Sequence, residues 1–162
     1  LKEATGKTPS EYFSEKIWKP TGAEKDALWS LDKHDGHEKA YCCVFSNAKD
    51  FARVGQLMLQ KGSWNGQQIL DSNYVIDAAK SINIPDRFGK NTDHYGYAWW
   101  LMNHKGNDIF YARGINGQYT IIIPEKDLVI VRLGHNRIKK DGAKHSADVF
   151  YYIDAALDMI KE

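Results

Sequence analysis

The longest stretch of mainly apolar residues, 110–133, predicts two β-strands joined by a short turn at 124–127. The second strand, 128–133, is β-branched and apolar enough to be buried on both faces. The first strand carries Gly114 and Gly117, which cost backbone entropy and supply no side chain to pack. Glycines inside a strand mark a bulge or a place where another molecule approaches the backbone, and the pattern leaves both interpretations open.

Helical spacing of apolar residues occurs in four segments: 8–19, 47–60, 72–80 and 146–160. Thr8 and Glu11 have the spacing of a capping box at the start of the first segment. The expected N-caps of the other three are Ser46, Asp71 and Ser146. An aromatic run, 95–102, predicts one more strand. The resulting order, helices, then three antiparallel strands, then a closing helix, predicts an α+β fold with helices packed on an antiparallel sheet, forming a single unit over 1–162.

Composition excludes several classes of function. The net charge is +1, which gives no electrostatic reason to expect nucleic acid or an anionic membrane as a partner. No apolar run reaches the ~20 residues that a membrane-spanning helix needs.

The first six residues have the pattern of a last helical turn closed by glycine, and no initiator Met precedes them. We therefore expect that the chain is an incomplete fragment of a larger domain.

Two groups of residues suggest metal or redox chemistry at first sight. The only cysteines, Cys42 and Cys43, are adjacent, and a disulfide between neighbours strains the single peptide link, so we expect two unpaired, buried thiols. Two histidines and three acids lie close together in 32–38, but their spacing matches no zinc or calcium site and is more typical of a solvated loop. The sequence therefore predicts no metal and no organic cofactor.

Four motifs in a fixed order carry a resemblance to a known family. They are 46–55 (SNAKDFARVG), 62–70 (GSWNGQQIL), 95–100 (YGYAWW) and the glycine-spaced hairpin 114–131. Together they resemble the serine β-lactamase-like hydrolases, which include class C β-lactamases, low-molecular-weight penicillin-binding proteins, and related esterases and amide hydrolases. The resemblance implies the C-terminal portion of a β-lactamase/transpeptidase-like fold.

The resemblance also implies an acyl-enzyme mechanism on ester, amide or β-lactam bonds, with the nucleophilic Ser and its Lys upstream of Leu1. By alignment, the backbone N–H of Ile115 donates to the oxyanion, and Ala112 stands where the family usually has Lys or His. The absence of this Lys or His weakens the interpretation of the chain as part of a β-lactamase. The residues expected to line the substrate site are Arg113, Gly114, Asn116, Gly117, Gln118, Tyr97 and Trp99. Equally open alternatives are a surface or ion-paired Arg113 and a packing role for Gln118. Core packing is favoured for at least two of Tyr97, Trp99 and Trp100.

One literal motif competes with this interpretation. Ser46 and Lys49 form an S-x-x-K, and Ser81 and Asn83 form an S-x-N. We reject both as catalytic, because such short patterns arise by chance and Ser46 is already explained as an N-cap.

A non-catalytic ligand-binding module and a pseudoenzyme of the same fold remain alternatives. The expected partners are a small-molecule or peptide-like substrate and the missing N-terminal half, with self-association through exposed apolar surface; the resemblance implies an extracytoplasmic location.

Overall fold

The computed structural model describes residues 1–136, 138 and 144–160. In these ranges the helices are α1 (Lys2–Thr5), α2 (Pro9–Phe13), α3 (Ala48–Leu59), α4 (Ser72–Ala78) and α5 (Ala147–Met159). The strands are β1 (Leu28–Trp29), β2 (Val44–Phe45), β3 (Ser63–Trp64), β4 (Gln67–Gln68), β5 (Trp100–His104), β6 (Asn107–Arg113), β7 (Tyr119–Ile123) and β8 (Leu128–Arg132). Across this part of the chain, no helix combines the length and apolar character needed to cross a bilayer.

The core is an antiparallel sheet with helices on both faces, which confirms the predicted α+β class. Strands β5, β6, β7 and β8 follow one another in the sheet, while β1–β2 and β3–β4 are separate pairs. One face packs against α5 through residues such as Tyr111, Ile121 and Ile153. The opposite face packs against α3 and α4 through Met58 and Val75 among others. The described sheet thus has four strands instead of the three predicted.

The extra strand arises because the predicted first strand of the hairpin is interrupted. Strand β6 ends at Arg113 and β7 begins at Tyr119, so the glycine-containing segment is a turn and not a bulge. Gly117 has a φ of 78°, a left-handed conformation that favours glycine. Glycine is common in both β-bulges and tight turns, and here Gly117 lies in a tight turn that reverses the chain.

The aromatic strand predicted over 95–102 is also shorter than expected. Strand β5 begins only at Trp100, because Ala98 has a φ of 64° that breaks the extended conformation. Gly96 lies tight against the end of α4: a Cβ there would lie 2.2 Å from the Ala78 carbonyl oxygen. Residues 95–99 therefore form a turn that leads into the sheet.

Three of the four predicted N-cap positions, Thr8, Asp71 and Ser146, are confirmed, and the fourth is wrong. Thr8 and Glu11 form the expected capping box, after which α2 continues as a π-helical turn over Ser14–Trp18. The Asp71 side chain caps α4 by accepting from the Tyr74 N–H. At α3 the N-cap is Asn47 and not Ser46, because the Asn47 side chain accepts from the amide at N3.

The prediction of two free thiols was wrong. Cys42 and Cys43 form a disulfide, and within the described residues no cysteine is free. Cys43 takes a φ of 76°, and this left-handed backbone brings the two sulfurs of adjacent residues together. The Trp29 indole N–H donates to the Cys42 carbonyl over 3.1 Å, which ties the pair to β1.

Candidate active site

The turn between β6 and β7, residues 114–118, is here called the oxyanion loop. Its ends are joined by a hydrogen bond from the Gly114 N–H to the Gln118 carbonyl (2.8 Å), and the Gly117 N–H donates back to the Gly114 carbonyl (3.2 Å). A Cβ on Gly114 would lie 2.4 Å from the Gln118 side-chain oxygen. A larger residue at 114 would therefore displace the Gln118 amide from its position in the loop.

The Gln118 side chain braces the loop from inside. Its Oε1 accepts from the Asn116 N–H (3.1 Å), and its Nε2 donates to the Gly134 carbonyl (2.5 Å), beyond the end of β8. Both ends of the amide are therefore occupied within the protein. Gln118 therefore has a structural role in the loop, and its expected contact with a substrate stays a prediction.

A second brace comes from Arg132, at the end of β8. Its Nη1 donates to the carbonyls of Asn116 (3.1 Å) and Gly117 (2.6 Å). Arg132 reaches them because it lies opposite Tyr119, the first residue after the loop. Sequence reasoning did not single out Arg132, although a charged residue ending an otherwise apolar strand was a visible signal.

Ile115 lies at the tip of the oxyanion loop with 79% of its surface exposed. Among the described residues, its backbone N–H has no hydrogen-bond partner, while the neighbouring Gly114, Asn116 and Gly117 amides are all bonded. The exposed tip of the loop therefore carries one backbone donor that no described residue occupies. A rigidly held N–H of this kind can stabilise developing negative charge on a substrate oxygen.

Arg113 and Ala112 lie on opposite faces of β6. Ala112 pairs with Thr120, a residue on the α3 side, and Arg113 pairs with Tyr119 on the α5 side. The Arg113 guanidinium lies 3.4 Å from the centroid of the Trp100 ring and donates to the Lys144 carbonyl over 3.2 Å. The cation is thus held by an aromatic ring beneath the loop.

Titratable side chains lie around Trp100, the ring that holds the Arg113 guanidinium, and they include His94 and His145. The Tyr111 hydroxyl and His145 Nδ1 are hydrogen-bonded at 2.8 Å. Burial lowers the pKa of His145 to about 4, and the nearby charges of His94, Arg113 and Lys144 lower this pKa further. Burial has the opposite effect on the Tyr111 hydroxyl, whose pKa it raises. His145 is therefore neutral near pH 7.

The two aromatic residues predicted to line the site have different neighbours. Tyr97 is half-exposed and its ring centroid lies 6.1 Å from that of Tyr74 on α4. Trp99 packs edge-to-face on Phe110 at 5.3 Å, within the α3 side of the core. Both precede β5, so the predicted alternation of a strand does not apply to them.

The competing S-x-x-K is not assembled as a catalytic pair. The Lys49 Nζ bonds to Glu24 over 2.5 Å, and within the described residues the buried Ser46 hydroxyl has no hydrogen-bond partner. In the S-x-N, the Ser81 hydroxyl donates to the Thr92 carbonyl (2.5 Å) and accepts from the Asn83 N–H (3.1 Å). Among the residues that the structure describes, neither serine has a base positioned to take its proton.

The acidic and histidine-containing loop at 32–38 serves local structure. The Asp32 carboxylate accepts from the His37 N–H (2.8 Å), and Glu38 accepts from the Ser10 hydroxyl. Over the described ranges, no group of three or more His, Cys, Asp or Glu side chains could hold a metal ion.

Comparisons with known proteins identify the family of this chain. The Beta-lactamase family model matches residues 1–149, so the chain belongs to the beta-lactamase family. The predicted resemblance is confirmed.

Two curated proteins are similar to most of this chain. The chain is 29% identical over 142 residues to the 6-aminohexanoate-dimer hydrolase of Paenarthrobacter ureafaciens, a match covering 82% of this chain and 35% of that protein. It is 23% identical over 157 residues to an uncharacterized protein of Alkalihalophilus pseudofirmus, covering 90% of this chain and 45% of that protein. The chain thus spans less than half the length of these curated relatives.

Solved structures give the same picture of the fold. A proposed 6-aminohexanoate-dimer hydrolase from Bacillus anthracis superposes with a TM-score of 0.77 at 29% identity, covering 98% of this chain and 39% of that chain. A proposed beta-lactamase from Bacteroides dorei superposes with a TM-score of 0.67 at 18% identity, covering 95% of this chain and 53% of that chain. At that lower identity the similarity concerns the fold alone.

Proposed function

We propose that this chain forms one wall of the active site of a serine hydrolase that works through an acyl-enzyme. The nucleophilic Ser and its Lys base belong to a segment outside this sequence. The proposal is supported by the family, by the 35% of a related hydrolase that the chain covers, and by the unassembled Ser46–Lys49 pair.

The N–H of Ile115 carries the proposal. When the serine oxygen adds to the substrate carbonyl, the carbonyl oxygen becomes an oxyanion, which accepts from this N–H. Collapse of the tetrahedral intermediate expels the amine or alcohol, and water then hydrolyses the acyl-enzyme by the same two steps. Removing one such donor typically costs about 10²–10³-fold in kcat.

The chemistry around the loop favours a linear amide or ester over a β-lactam. Ala112 supplies no cation where the family usually has Lys or His, and Arg113 points to the α5 face, where Trp100 covers it. The pocket wall thus has no side-chain cation from β6 to hold a substrate carboxylate. The two relatives described as 6-aminohexanoate-dimer hydrolases support a short linear amide as the substrate class.

Serine labelling of the full-length protein that carries this chain tests the proposal. After incubation with a fluorophosphonate, we expect one adduct by intact mass, and peptide mapping should place it on a serine outside residues 1–162. Ser46→Ala and Lys49→Met are matched controls that should label normally. An adduct on Ser46 would contradict the proposal, and the absence of any adduct would favour a pseudoenzyme or a binding module.

An apolar surface on the β1–β2 pair supports a proposed docking site for the same outside segment. Leu28 and Phe45 lie directly opposite each other and are 72% and 58% exposed. Isolated apolar patches of this kind mark interaction sites or promote association. We expect this chain alone to self-associate in sedimentation experiments and Leu28→Ser with Phe45→Ser to reduce it; a monomeric wild-type chain would contradict the docking site.

A further inference from the structure

Arg132 is connected to the oxyanion donor by a continuous series of bonds. Its Nη1 donates to the Asn116 carbonyl (3.1 Å), which shares a peptide unit with the Gly117 N–H. That N–H donates to the Gly114 carbonyl (3.2 Å), which shares a peptide unit with the Ile115 N–H. Two hydrogen bonds and two peptide units therefore separate a permanent positive charge from the proposed catalytic donor.

Hydrogen bonds in such a series polarise one another. A cation on a carbonyl oxygen withdraws electron density from the attached N–H, which becomes a stronger donor to the next carbonyl. The effect is estimated at roughly 10–30% per bond in condensed phases. The series ends at the Ile115 N–H, the loop donor that has no partner among the described residues.

The guanidinium is also held in place from the other side. A Cβ on Gly134 would lie 2.4–2.6 Å from the terminal atoms of the Arg132 side chain, so glycine is what allows the guanidinium to lie over this backbone. The guanidinium lies 5.6 Å from the centroid of the Tyr152 ring on α5. Arg132 is therefore fixed by packing as well as by its bonds to the loop.

We infer that Arg132 is a positioning residue for the hydrolase reaction, which sets the direction and raises the donor strength of the Ile115 N–H. This inference rests on the proposed function for its catalytic consequence. The relay itself can be tested without catalysis.

Selective isotope labelling of the full-length protein tests the relay. Gly114–Ile115 is the one Gly-Ile dipeptide in this sequence, so ¹³C-carbonyl glycine with ¹⁵N isoleucine reports a single peptide unit of this chain. In Arg132→Met we expect the Ile115 amide proton and the Gly114 carbonyl carbon to move upfield, with Arg132→Lys between it and the wild type. Arg87→Met, which removes an exposed arginine lying over Phe88, should leave both resonances in place.

A second variant guards against general unfolding as the cause. Gly134→Ala keeps every charge, but its Cβ displaces the flexible end of Arg132 from its position. It should shift the same two resonances in the same direction as Arg132→Met. Unchanged resonances in both variants would overturn the inference, whether or not the protein proves to be a hydrolase.

The catalytic consequence is read from kinetics and from the acyl-enzyme. Because Arg132→Met keeps the N–H, we expect kcat to fall about tenfold with KM nearly constant, short of the ~10²–10³-fold cost of losing a donor outright. The infrared carbonyl stretch of the acyl-enzyme should rise in frequency. A raised KM at unchanged kcat would make Arg132 a substrate-binding residue and overturn the inference, whereas shifted resonances without any acyl-enzyme would sink the proposed function alone.

Discussion

Two polar regions of this protein use hydrogen bonds in opposite ways. Asp50 on α3 is 0% exposed and accepts from the backbone N–H groups of Glu24 and Lys25 at 2.9 and 3.0 Å. It also accepts from the Asn47 side chain at 2.6 Å and from Arg53 at 2.8 Å. All these donors point inward onto one carboxylate, which joins the start of α3 to the loop before β1.

The oxyanion loop has a similar number of hydrogen bonds but leaves one donor unused. Gln118 and Arg132 occupy the neighbouring carbonyls and one amide, and within the described residues the Ile115 N–H remains without a partner. The hydrogen bonds of Asp50 stabilise the fold, because each buried polar atom there has a partner. The oxyanion loop is held in place but keeps one unpaired donor, which suits it to bind a negative charge that forms during a reaction.

The largest effect is expected from breaking the hydrogen bonds of Asp50. Asp50→Ala removes the acceptor and leaves four donors without their partner, so the free energy of unfolding should fall by about 3–5 kcal/mol, as for other broken buried pairs. Urea denaturation measures the change. Asp77→Ala is the matched control, because Asp77 also pairs with a basic residue three positions on, Lys80, but on the surface. Equal losses of unfolding free energy in the two variants would contradict the claim that the buried hydrogen bonds of Asp50 stabilise the fold.

A smaller loss should follow from crowding the packing that holds α3 on the sheet. A Cβ on Gly55 would lie 2.6 Å from Val129 Cγ1 and 2.9 Å from Thr120 Cγ2. Gly55→Ala should therefore destabilise by about 1–3 kcal/mol despite the better helix propensity of alanine. Combining it with Val129→Ala should recover part of the loss, and a fully additive double variant would show that the contact is not the cause.

The open loop should respond mainly in activity. Gln118→Ala removes the bonds to Asn116 and Gly134, and we expect a loss in unfolding free energy of about 0.5–1.5 kcal/mol for each of these two hydrogen bonds. The kcat of the full-length enzyme should fall more than its stability, because the loop loses its brace. A stability loss as large as that of Asp50→Ala, with kcat intact, would reverse the comparison between the two regions.

The smallest effect is expected from the histidine behind the loop. The pKa of His145 is lowered from 6.5 to about 4, mainly by burial, so the unfolded chain takes up this proton first as the pH falls. Stability should therefore decline between pH 6.5 and about 4, and His145→Gln should remove that part of the decline. His34→Gln, at an exposed site, is the control, and identical pH profiles for the wild type and His145→Gln would contradict the shift.

Short-range patterns predicted much of this fold. The capping box at Thr8, the cap at Asp71 and the apolar spacing of α3 and α5 depend on neighbours within a few positions, and the structure contains them. Errors arose where neighbouring residues had equivalent chemistry. Ser46 and Asn47 are both good caps, and only the helix start decides between them.

Long-range contacts could not be read from the sequence. Arg132 reaches Asn116 only because β7 and β8 pair in one register, with Tyr119 opposite Arg132. The glycines at 114 and 117 were compatible with a bulge or a turn until the pairing of β6 with β7 was known. The candidate site was therefore located by its motif, but its bracing became visible only in three dimensions.

The most direct test of the account is a crystal structure of the acyl-enzyme of the full-length protein, with the distance from the acyl carbonyl oxygen to the Ile115 nitrogen as the measured quantity. We predict a separation of about 2.7–3.1 Å, with the oxygen in line with the N–H. A carbonyl oxygen that points away from Ile115 and bonds to other donors would contradict the assignment of the oxyanion loop.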